Sequence, residues 1–481
     1  MQDRNLKEIN IQNVRLGFNT SSSSQHSAVI NVNKRLKLGP VTDGYYGWND
    51  FILKTKEEKE HYFVTMLFIN LSHTMPAHYA AAIVNDLFGK KYVVEGDEPG
   101  FDHQSLFSLP VLDDDWLRHG VKEINLEFFK EMTSYFADNP KIAICGGNDN
   151  ERRPRYGRED KVFQKLHSYM ADSGDTMRAR KDGDFWVLFN KRTGAKIRFS
   201  FTSRGNYDYS TFPESADIKI TDFCDQDCDW CYQASTREGK FSHTSNINYI
   251  SRALQRMGVF EVAIGGGEPT LHPELPRILK TFKDDGMCVN LTTSSTKWIE
   301  NPVLAKAILQ NVSGIAFSAN RIWDIEKVHA WLKLHNYQGE FSTHIILGRQ
   351  GTKHVLEDLD KIAQWCTRVT LLGWKPTGRA IKTAPTKVNL RRIFDHANQH
   401  WYTLGLDSKA VEDYAEEVKA ANIPEKLVVF GEGKFSLYID AVEGFIAPDS
   451  YSSKEKQIPF TYDGRRKDNL DDVIKENFPF I

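Results

Sequence analysis

The hydrophobic pattern of this chain becomes regular near residue 213. From there to about residue 385, short apolar runs alternate with longer amphipathic stretches. Six of the short runs are typical of strands and five of the longer stretches are typical of helices, which together predict parallel βα units. The six predicted strands contain the runs ADIKIT, EVAIGG, CVNLTT, GIAFSAN, FSTHIILG and VTLLGW.

Six βα units predict an α/β fold whose core is a partial (β/α)6 barrel, because a complete TIM barrel requires eight units. In such a barrel the loops after the C-terminal ends of the strands carry the chemistry. We expect an α+β N-terminal domain of unknown role over residues 1–212, the barrel over 213–385 and a small C-terminal cap of helices and strands over 386–481.

The first 212 residues are less regular and show no repeat. The stretch NLEFFKEMTSYFAD (125–138) predicts a helix, KIAICGG (141–147) a strand, and FWVLFNKRTGAKIRFSF (185–201) a hairpin with a Thr-Gly turn. A polar loop is expected at 20–27. The apolar run YFVTMLFINL (62–71) is too short to cross a bilayer and is predicted to form a buried strand.

The C-terminal region is predicted to mix both kinds of secondary structure. Two helical stretches, 386–404 and 409–422, precede the β-like segment KFSLYIDAVEGFIAP, and NLDDVIKENF predicts a last helix.

Composition and charge narrow the classes of function. With 481 residues, 40% hydrophobic and 26% charged, the chain resembles an ordinary globular protein of several domains. A net charge of −2 disfavours nucleic acid as a general partner. The N-terminus MQDRNLKEIN lacks the apolar stretch of a secretory signal, so we expect no membrane partner and a cytoplasmic location.

Six cysteines in so long a chain do not form a disulfide framework, and three of them fall within TDFCDQDCDWCYQAS (221–235). Soft thiolates select zinc, copper or iron–sulfur clusters. A structural zinc site closes with four ligands, and His243 is the local candidate for the fourth. Three thiolates with an open fourth position also fit a [4Fe–4S] cluster whose free iron binds a small molecule. The isolated Cys145, Cys288 and Cys366 are expected to be structural.

The spacing Cys224-x3-Cys228-x2-Cys231, with aromatic Trp230 before the last cysteine, resembles the signature of the radical S-adenosylmethionine (SAM) superfamily. The resemblance implies that these cysteines hold one [4Fe–4S] cluster whose unique iron is chelated by SAM. It implies that the reduced cluster cleaves SAM to methionine and a 5′-deoxyadenosyl radical, which abstracts hydrogen from a substrate. Trp230 is expected to shield the cluster.

GGGEPTLHPEL, after the second predicted strand, is similar to the GGEP motif of that superfamily. This similarity implies that Gly266, Gly267 and Glu268 bind the methionine amino group of SAM. Glycines allow close backbone approach, and a carboxylate accepts hydrogen bonds from an ammonium group. Hydroxyl and amide groups after the third and fourth strands are further candidates for contacts with SAM: Thr293, Ser294, Ser295, Ser318 and Asn320.

Structural alternatives exist for two of these segments. GGGEP also fits a tight strand-to-helix turn, and TTSST also fits a hydroxyl-rich helix N-cap.

The later segments carry weaker resemblances. HIILG and LLGWKPTGRA resemble segments whose backbone flanks adenine in the superfamily, and PTGRA (376–380) resembles a stretch seen in several peptide-modifying members. FSLYIDAVEGFIAPDSYS is similar in outline to part of the SPASM and twitch extensions, which carry auxiliary clusters. A cysteine would be expected near Asp449, but none follows Cys366. We therefore expect one cluster and a reaction that needs no second one.

The sequence thus predicts a radical SAM enzyme that acts on a residue of a peptide or protein. A nucleotide or RNA base is the alternative substrate, and a non-enzymatic iron–sulfur or zinc module is the alternative from a different class. The resemblance implies an electron donor such as flavodoxin or ferredoxin. The sequence names no catalytic residue that faces the substrate.

Overall fold

The computed structural model of the chain forms two compact units. One unit takes in residues 1–12, 30–190 and 197–205, and the other takes in 13–29, 191–196 and 206–481. The domain boundaries at 212/213 and 385/386 stay predictions. The residues that the structure describes are 10–15, 51–53, 55–74, 77–89, 122–138, 144–146, 177–200, 207–318, 322–366, 368–400, 402–421, 432–462 and 469–480.

In the parts of the N-terminal region that the structure describes, there are three helices and two small sheets. Strands β2 and β3 pair antiparallel, and a four-stranded sheet has the order β1-β6-β5-β4. The predicted helix, strand and hairpin of this region are confirmed, and the polar loop at 20–27 lies outside the described residues. The elements β1, β2, β4 and α2 were not predicted. The elements are α1 Lys56–Thr74, α2 Ala77–Phe88, α3 Lys122–Asp138, β1 Asn10–Arg15, β2 Phe51–Leu53, β3 Ile144–Gly146, β4 Met177–Asp182, β5 Phe185–Asn190 and β6 Lys196–Ser200.

The prediction of a strand at 62–71 is wrong, because this run lies inside helix α1. The helix begins with a capping box: the Glu58 amide donates to Thr55 Oγ1 (3.2 Å), and the Thr55 amide donates to Glu58 Oε2 (2.9 Å). Phe63 is buried and meets Phe129 of α3 edge to face, with ring centroids 6.2 Å apart. Short apolar runs do not distinguish a strand from a buried helix, and here the capping box decides for the helix.

The predicted barrel is present, with all six strands and the five helices between them. The strands pair in parallel in chain order, from β7 to β12. The strands are β7 Ser215–Lys219, β8 Glu261–Gly265, β9 Cys288–Thr293, β10 Gly314–Phe317, β11 Glu340–Ile346 and β12 Arg368–Leu372, and the helices are α4 Thr244–Arg256, α5 Leu275–Asp284, α6 Pro302–Asn311, α7 Ile322–Leu334 and α8 Thr352–Ile362.

The C-terminal segment extends this sheet at both sides. β13 pairs in parallel with β12, and β14 pairs in parallel with β7, so the β-like segment predicted after residue 385 is part of the barrel sheet. Among the described residues the sheet order is β13-β12-β11-β10-β9-β8-β7-β14-β15-β16, an open partial barrel. The predicted C-terminal helices are also present. The elements are β13 Leu404–Leu406, β14 Ser436–Asp440, β15 Phe445–Ala447, β16 Ile458–Pro459, α9 Leu390–His400, α10 Ser408–Asp413, α11 Ala415–Ala420 and α12 Leu470–Asn477.

A buried polar network closes the N-terminal end of the barrel strands. Lys196 Nζ lies 3.1 Å from Glu214 and 3.7 Å from Glu261, and all three side chains are fully buried. Asn290 Nδ2 donates to Glu261 Oε2 at 3.0 Å. Charges so deeply buried are tolerated only when they are paired. Buried side chains therefore fill the space at this end of the strands. A functional site is expected at the C-terminal ends of the strands instead.

No helix among the described residues combines the length and the apolar character needed to cross a membrane.

The capping box predicts the effect of a single substitution. Thr55→Ala removes the side-chain acceptor of the Glu58 amide and should lower the free energy of unfolding by about 1 kcal/mol in urea titrations. Thr65→Ala is the matched control: Thr65 lies in the same helix and its hydroxyl only donates to the His61 carbonyl, so its loss should cost little. Equal costs for the two variants would contradict the assignment of the cap.

Candidate active site

The cysteine loop, defined as residues 222–235, follows β7 at the C-terminal end of the barrel. The Cys224 amide donates to the Thr236 carbonyl (2.8 Å), and the Thr236 amide donates to the Asp222 carbonyl (3.2 Å). A β-bridge between Thr221 and Phe241 closes the base of the loop. The three cysteines therefore lie where the sequence predicted, beyond the end of the first barrel strand.

Cys224, Cys228 and Cys231 form no disulfide bonds, and all three are partly buried. Burial raises the pKa of Cys224 to about 11, and the nearby Glu268 carboxylate acts in the same direction. Because the thiolate is the form that binds metals, a metal centre here must displace the proton of Cys224.

A single zinc ion does not fit this donor set. Of the residues that the structure describes, the three sulfurs and His243 do not form a group whose ligand atoms lie within 4.8 Å of one another. His243 is exposed, and its Nδ1 lies 2.8 Å from Ser245 Oγ. An iron–sulfur cluster is wider than one ion, and its cysteine ligands bind different irons. Three thiols spread along one loop therefore fit a cluster better than a zinc knuckle.

The Gly266-Gly267-Glu268 turn, directly after β8, is hydrogen-bonded to the start of the cysteine loop. The Gly267 amide donates to the Thr221 carbonyl (2.7 Å), and the Glu268 amide donates to the Phe223 carbonyl (2.8 Å). A Cβ on Gly267 would lie 2.2 Å from the Phe223 oxygen, and one on Gly266, whose φ is +136°, would lie 2.4 Å from the Thr221 oxygen. Both glycines are required because the backbones touch.

The Glu268 carboxylate is fully buried and accepts five hydrogen bonds. Oε1 accepts from the Thr270 amide (3.0 Å), the Thr270 hydroxyl (2.6 Å) and the Thr293 hydroxyl (2.7 Å). Oε2 accepts from the amide (3.0 Å) and the hydroxyl (3.2 Å) of Ser294. The structure thus brings Thr293 and Ser294 to Glu268, and Thr270 joins them although the sequence did not single it out.

The GGGEP and TTSST segments also begin short helices, as their structural alternatives predicted. Glu268 caps the short 3-10 helix Pro269–Leu271, and Ser295 Oγ accepts from the Lys297 amide at the start of the 3-10 helix Lys297–Glu300. The turn is therefore a helix start that also presents a carboxylate beside the cysteine loop.

Ser318, at the end of β10, contacts a buried histidine. Its Oγ lies 3.0 Å from Nδ1 of His344 on β11. Burial, together with the charges of Arg368 and Lys375, lowers the pKa of His344 to about 3, so the imidazole is neutral at physiological pH. Asn320 lies outside the described residues.

Trp230 carries a stacked arginine. The guanidinium carbon of Arg349 lies 3.8 Å from the centroid of the indole ring, the geometry of a cation–π contact. Burial lowers the pKa of Arg349, while Cys228 and Asp358 oppose that change. Trp230 thus covers one side of the cysteine loop together with Arg349, which no sequence pattern marked.

Arg379 lies in the PTGRA segment, which follows β12, and it donates hydrogen bonds to three backbone carbonyls of the cysteine loop. Its Nε donates to the Cys228 carbonyl (2.8 Å), its Nη1 to the Ser235 carbonyl (2.9 Å), and its amide to the Cys231 carbonyl (2.9 Å). Gly378, with φ +57°, makes this approach possible, because a Cβ there would lie 2.3 Å from the Tyr232 oxygen. The PTGRA segment therefore fixes the backbone of two of the three cysteines.

A small polar cavity lies next to the cysteine loop. The Lys375 ammonium lies 4.9 Å from the ring centroid of Tyr232 and 5.0 Å from that of Tyr451. The cavity is about 10 Å³, room for about one water molecule. Asp217, Glu432 and Asp449 line it together with Lys375.

A larger cavity of about 500 Å³ lies near the C-terminal end of β11. Arg349, which stacks on Trp230, is one of its walls. Its charged lining consists of two cations and two carboxylates, apart from His344: Arg349, Lys361, Glu326 and Asp358.

Comparison with known proteins identifies the domain. Residues 218–338 match the family model of the Radical SAM superfamily. A probable GTP 3′,8-cyclase of Methanococcus vannielii is 26% identical over 280 residues, which cover 53% of this chain and 86% of that protein. A PqqA peptide cyclase of Bradyrhizobium diazoefficiens is 32% identical over 80 residues, 16% of this chain and 21% of that protein.

Among solved structures, Streptococcus suis SuiB bound to its precursor peptide SuiA is similar, with a TM-score of 0.46 and 14% identity. The match covers 62% of this chain and 87% of that one. The radical SAM superfamily uses a [4Fe–4S] cluster and SAM, and the three cysteines of the loop and the Glu268 turn provide donor groups that fit these cofactors. Residues 218–338 therefore form a domain of the Radical SAM superfamily, which is a superfamily of enzymes.

Proposed function

We propose that Cys224, Cys228 and Cys231 bind one [4Fe–4S] cluster, that the Glu268 turn binds SAM, and that the enzyme modifies a residue of a peptide or protein. The observation that carries the assignment of the site is the direct hydrogen bonding of the Glu268 turn to the cysteine loop. When bound, the cluster supplies an electron for the cleavage of SAM, and the radical formed abstracts hydrogen from the substrate.

The carboxylate of Glu268 is the acceptor that we propose for the SAM ammonium group. Five donors already occupy all of the roughly four lone-pair positions of a carboxylate, so a ligand can be accepted only by displacing present donors. The Ser294 hydroxyl is the most replaceable donor, since it makes the longest of the five bonds at 3.2 Å and is only partly buried. Thr293 and Thr270 keep the carboxylate in place, and the backbones of Gly266 and Gly267 complete the turn.

The charges near the site support a peptide rather than a nucleoside triphosphate. In the large cavity the described cations and carboxylates balance. A triphosphate needs several unpaired cations or a helix N-terminus aimed at it, whereas a peptide residue does not.

The chain's own residues limit the reaction to one cluster, because no cysteine follows Cys366. Where auxiliary-cluster cysteines would be expected, Asp449 accepts a hydrogen bond from the Tyr451 amide (2.9 Å), and Ser450 Oγ donates to Tyr232 of the cysteine loop (3.2 Å). Hydrogen abstraction followed by rearrangement, coupling, epimerisation or elimination fits this limit.

The enzyme needs a reductant, and we propose flavodoxin or ferredoxin for this role. The cytoplasmic location expected from the sequence and a role of residues 1–212 in binding a leader or carrier segment stay predictions.

A nucleotide substrate is the second candidate, because the longer of the two sequence alignments above is to a probable GTP 3′,8-cyclase. The two candidates differ in what should stimulate the reaction. With SAM and dithionite, the peptide fraction of source cells should increase 5′-deoxyadenosine formation and yield a peptide of altered mass. GTP should neither increase 5′-deoxyadenosine formation nor give a modified product. Stimulation by GTP, with a nucleotide product, would refute the peptide proposal and leave the SAM site intact.

The cluster assignment predicts that Cys228→Ala abolishes 5′-deoxyadenosine formation. The assay is anaerobic reconstitution with iron and sulfide, then dithionite, SAM and chromatography, with iron content measured in parallel. Cys366→Ala is the matched control, since that thiol lies outside the cysteine loop, 2.8 Å from Thr343 Oγ1. Full turnover in Cys228→Ala would refute the assignment.

Arg379 is predicted to be a positioning residue for the cluster. Arg379→Ala removes two side-chain donors to the cysteine loop, so a chelator should strip iron from the variant roughly tenfold to a hundredfold faster than from the unaltered enzyme. Arg379→Lys should recover only part of this, because an ammonium cannot reach two carbonyls as a guanidinium fork does.

Arg237→Ala is the control for this prediction. Arg237 is exposed and makes one 3.3 Å hydrogen bond to the Asp225 carbonyl of the same loop. Its removal should leave iron loss unchanged. If Arg379→Ala also holds iron normally, the side-chain contacts to the Cys228 and Ser235 carbonyls have no role in the retention of the cluster.

A further inference from the structure

Three potential metal ligands converge on the outer helices of the barrel, away from the cysteine loop. Asp360 lies on α8, and His396 and His400 lie on α9; their ligand atoms are all within 4.8 Å of one another. His396 Nε2 lies 2.6 Å from Asp360 Oδ1, and the Tyr402 hydroxyl donates to the same oxygen at 3.1 Å. The site already described uses none of these side chains.

The two histidines are four residues apart on one helix. This spacing places both imidazoles on the same face, and their ring centroids are 4.4 Å apart. The adjacent βα helix brings Asp360 against that face, so two rigid elements hold the three ligands and no mobile loop is required.

A hydrogen bond between a histidine and a carboxylate explains only part of the cluster. It accounts for His396, whereas His400 stacks on the Tyr402 ring with centroids 5.5 Å apart, which holds a second imidazole beside the first. Two imidazoles would repel each other if both were protonated. Two neutral imidazoles and a carboxylate are the donor set that zinc binds in many open sites.

The distances between the three ligand atoms are close to those that one bound ion requires. With ligand bonds of about 2.0–2.1 Å in a tetrahedron, neighbouring ligand atoms lie roughly 3.3 Å apart. The observed separations start at 2.6 Å for the His396–Asp360 pair and stay within 4.8 Å for the whole group. Small side-chain rotations would bring all three atoms to that spacing.

We propose that Asp360, His396 and His400 form a binding site for one divalent transition-metal ion, with Zn²⁺ as the ion that the donor set favours. The Tyr402 hydroxyl orients the carboxylate, as outer partners of metal ligands do. A water molecule completes the fourth position. The bound ion joins α8 to α9 and so ties the last βα units of the barrel together.

The experiment measures Zn²⁺ binding to the full chain by competition with a fluorescent chelator. The three cysteines of the loop are replaced by alanine in this experiment, because their thiolates would also bind zinc. One equivalent should bind. His400→Ala in the same background should weaken binding by at least about tenfold, and Zn²⁺ should raise the melting temperature of the parent but not of His400→Ala.

Two further variants separate loss of a ligand from loss of folding. Asp360→Asn keeps a side chain that can hydrogen-bond to His396 and Tyr402 but lacks the charge, so it should fold normally and still lose the metal. His354→Ala is the control on α8: this exposed histidine lies outside the cluster, and its removal should leave binding unchanged. Absence of binding in the parent, or binding that survives both His400→Ala and Asp360→Asn, overturns the proposal.

Discussion

The candidate active site depends on one backbone junction. Two hydrogen bonds join the Gly267 and Glu268 amides to the Thr221 and Phe223 carbonyls, at a distance where no side chain fits. Because β7 and β8 are neighbours in the sheet, this junction places the cysteine loop and the Glu268 carboxylate at one edge. The proposed cluster ligands and the proposed SAM acceptor are therefore positioned together, by the same pair of strands.

Two more contacts make the loop a fixed element. Arg379 binds the carbonyls of Cys228, Cys231 and Ser235 from beyond β12, and Arg349 covers Trp230 from beyond β11. A cluster with an open iron needs ligands that do not rearrange, since loose ligands would let the fourth position close. The buried Lys196 network at the other end of the strands serves stability, in keeping with the division of roles between the two ends of βα barrels.

The two failures of prediction have different physical origins, one local and one long-range. The run at 62–71 is apolar enough for a strand or a helix, and the deciding signal was the local pair Thr55 and Glu58, which lies before the run. The contribution of β14 to the barrel sheet could not be foreseen, because its partner β7 lies about two hundred residues earlier in the chain. Strand pairing at that distance leaves no periodicity in the sequence.

The sequence alone determined the barrel and its chemistry, because alternating strands and helices, the cysteine spacing and the GGEP turn are local patterns with local physical causes. It also predicted that Thr293, Ser294 and Ser318 lie at strand ends. Only the tertiary structure decided what these residues touch: Thr293 and Ser294 hold Glu268, and Ser318 meets His344. It alone showed the roles of Arg379 and Arg349 and the convergence of Asp360 with two histidines, because such contacts depend on how strands and helices distant in sequence pack.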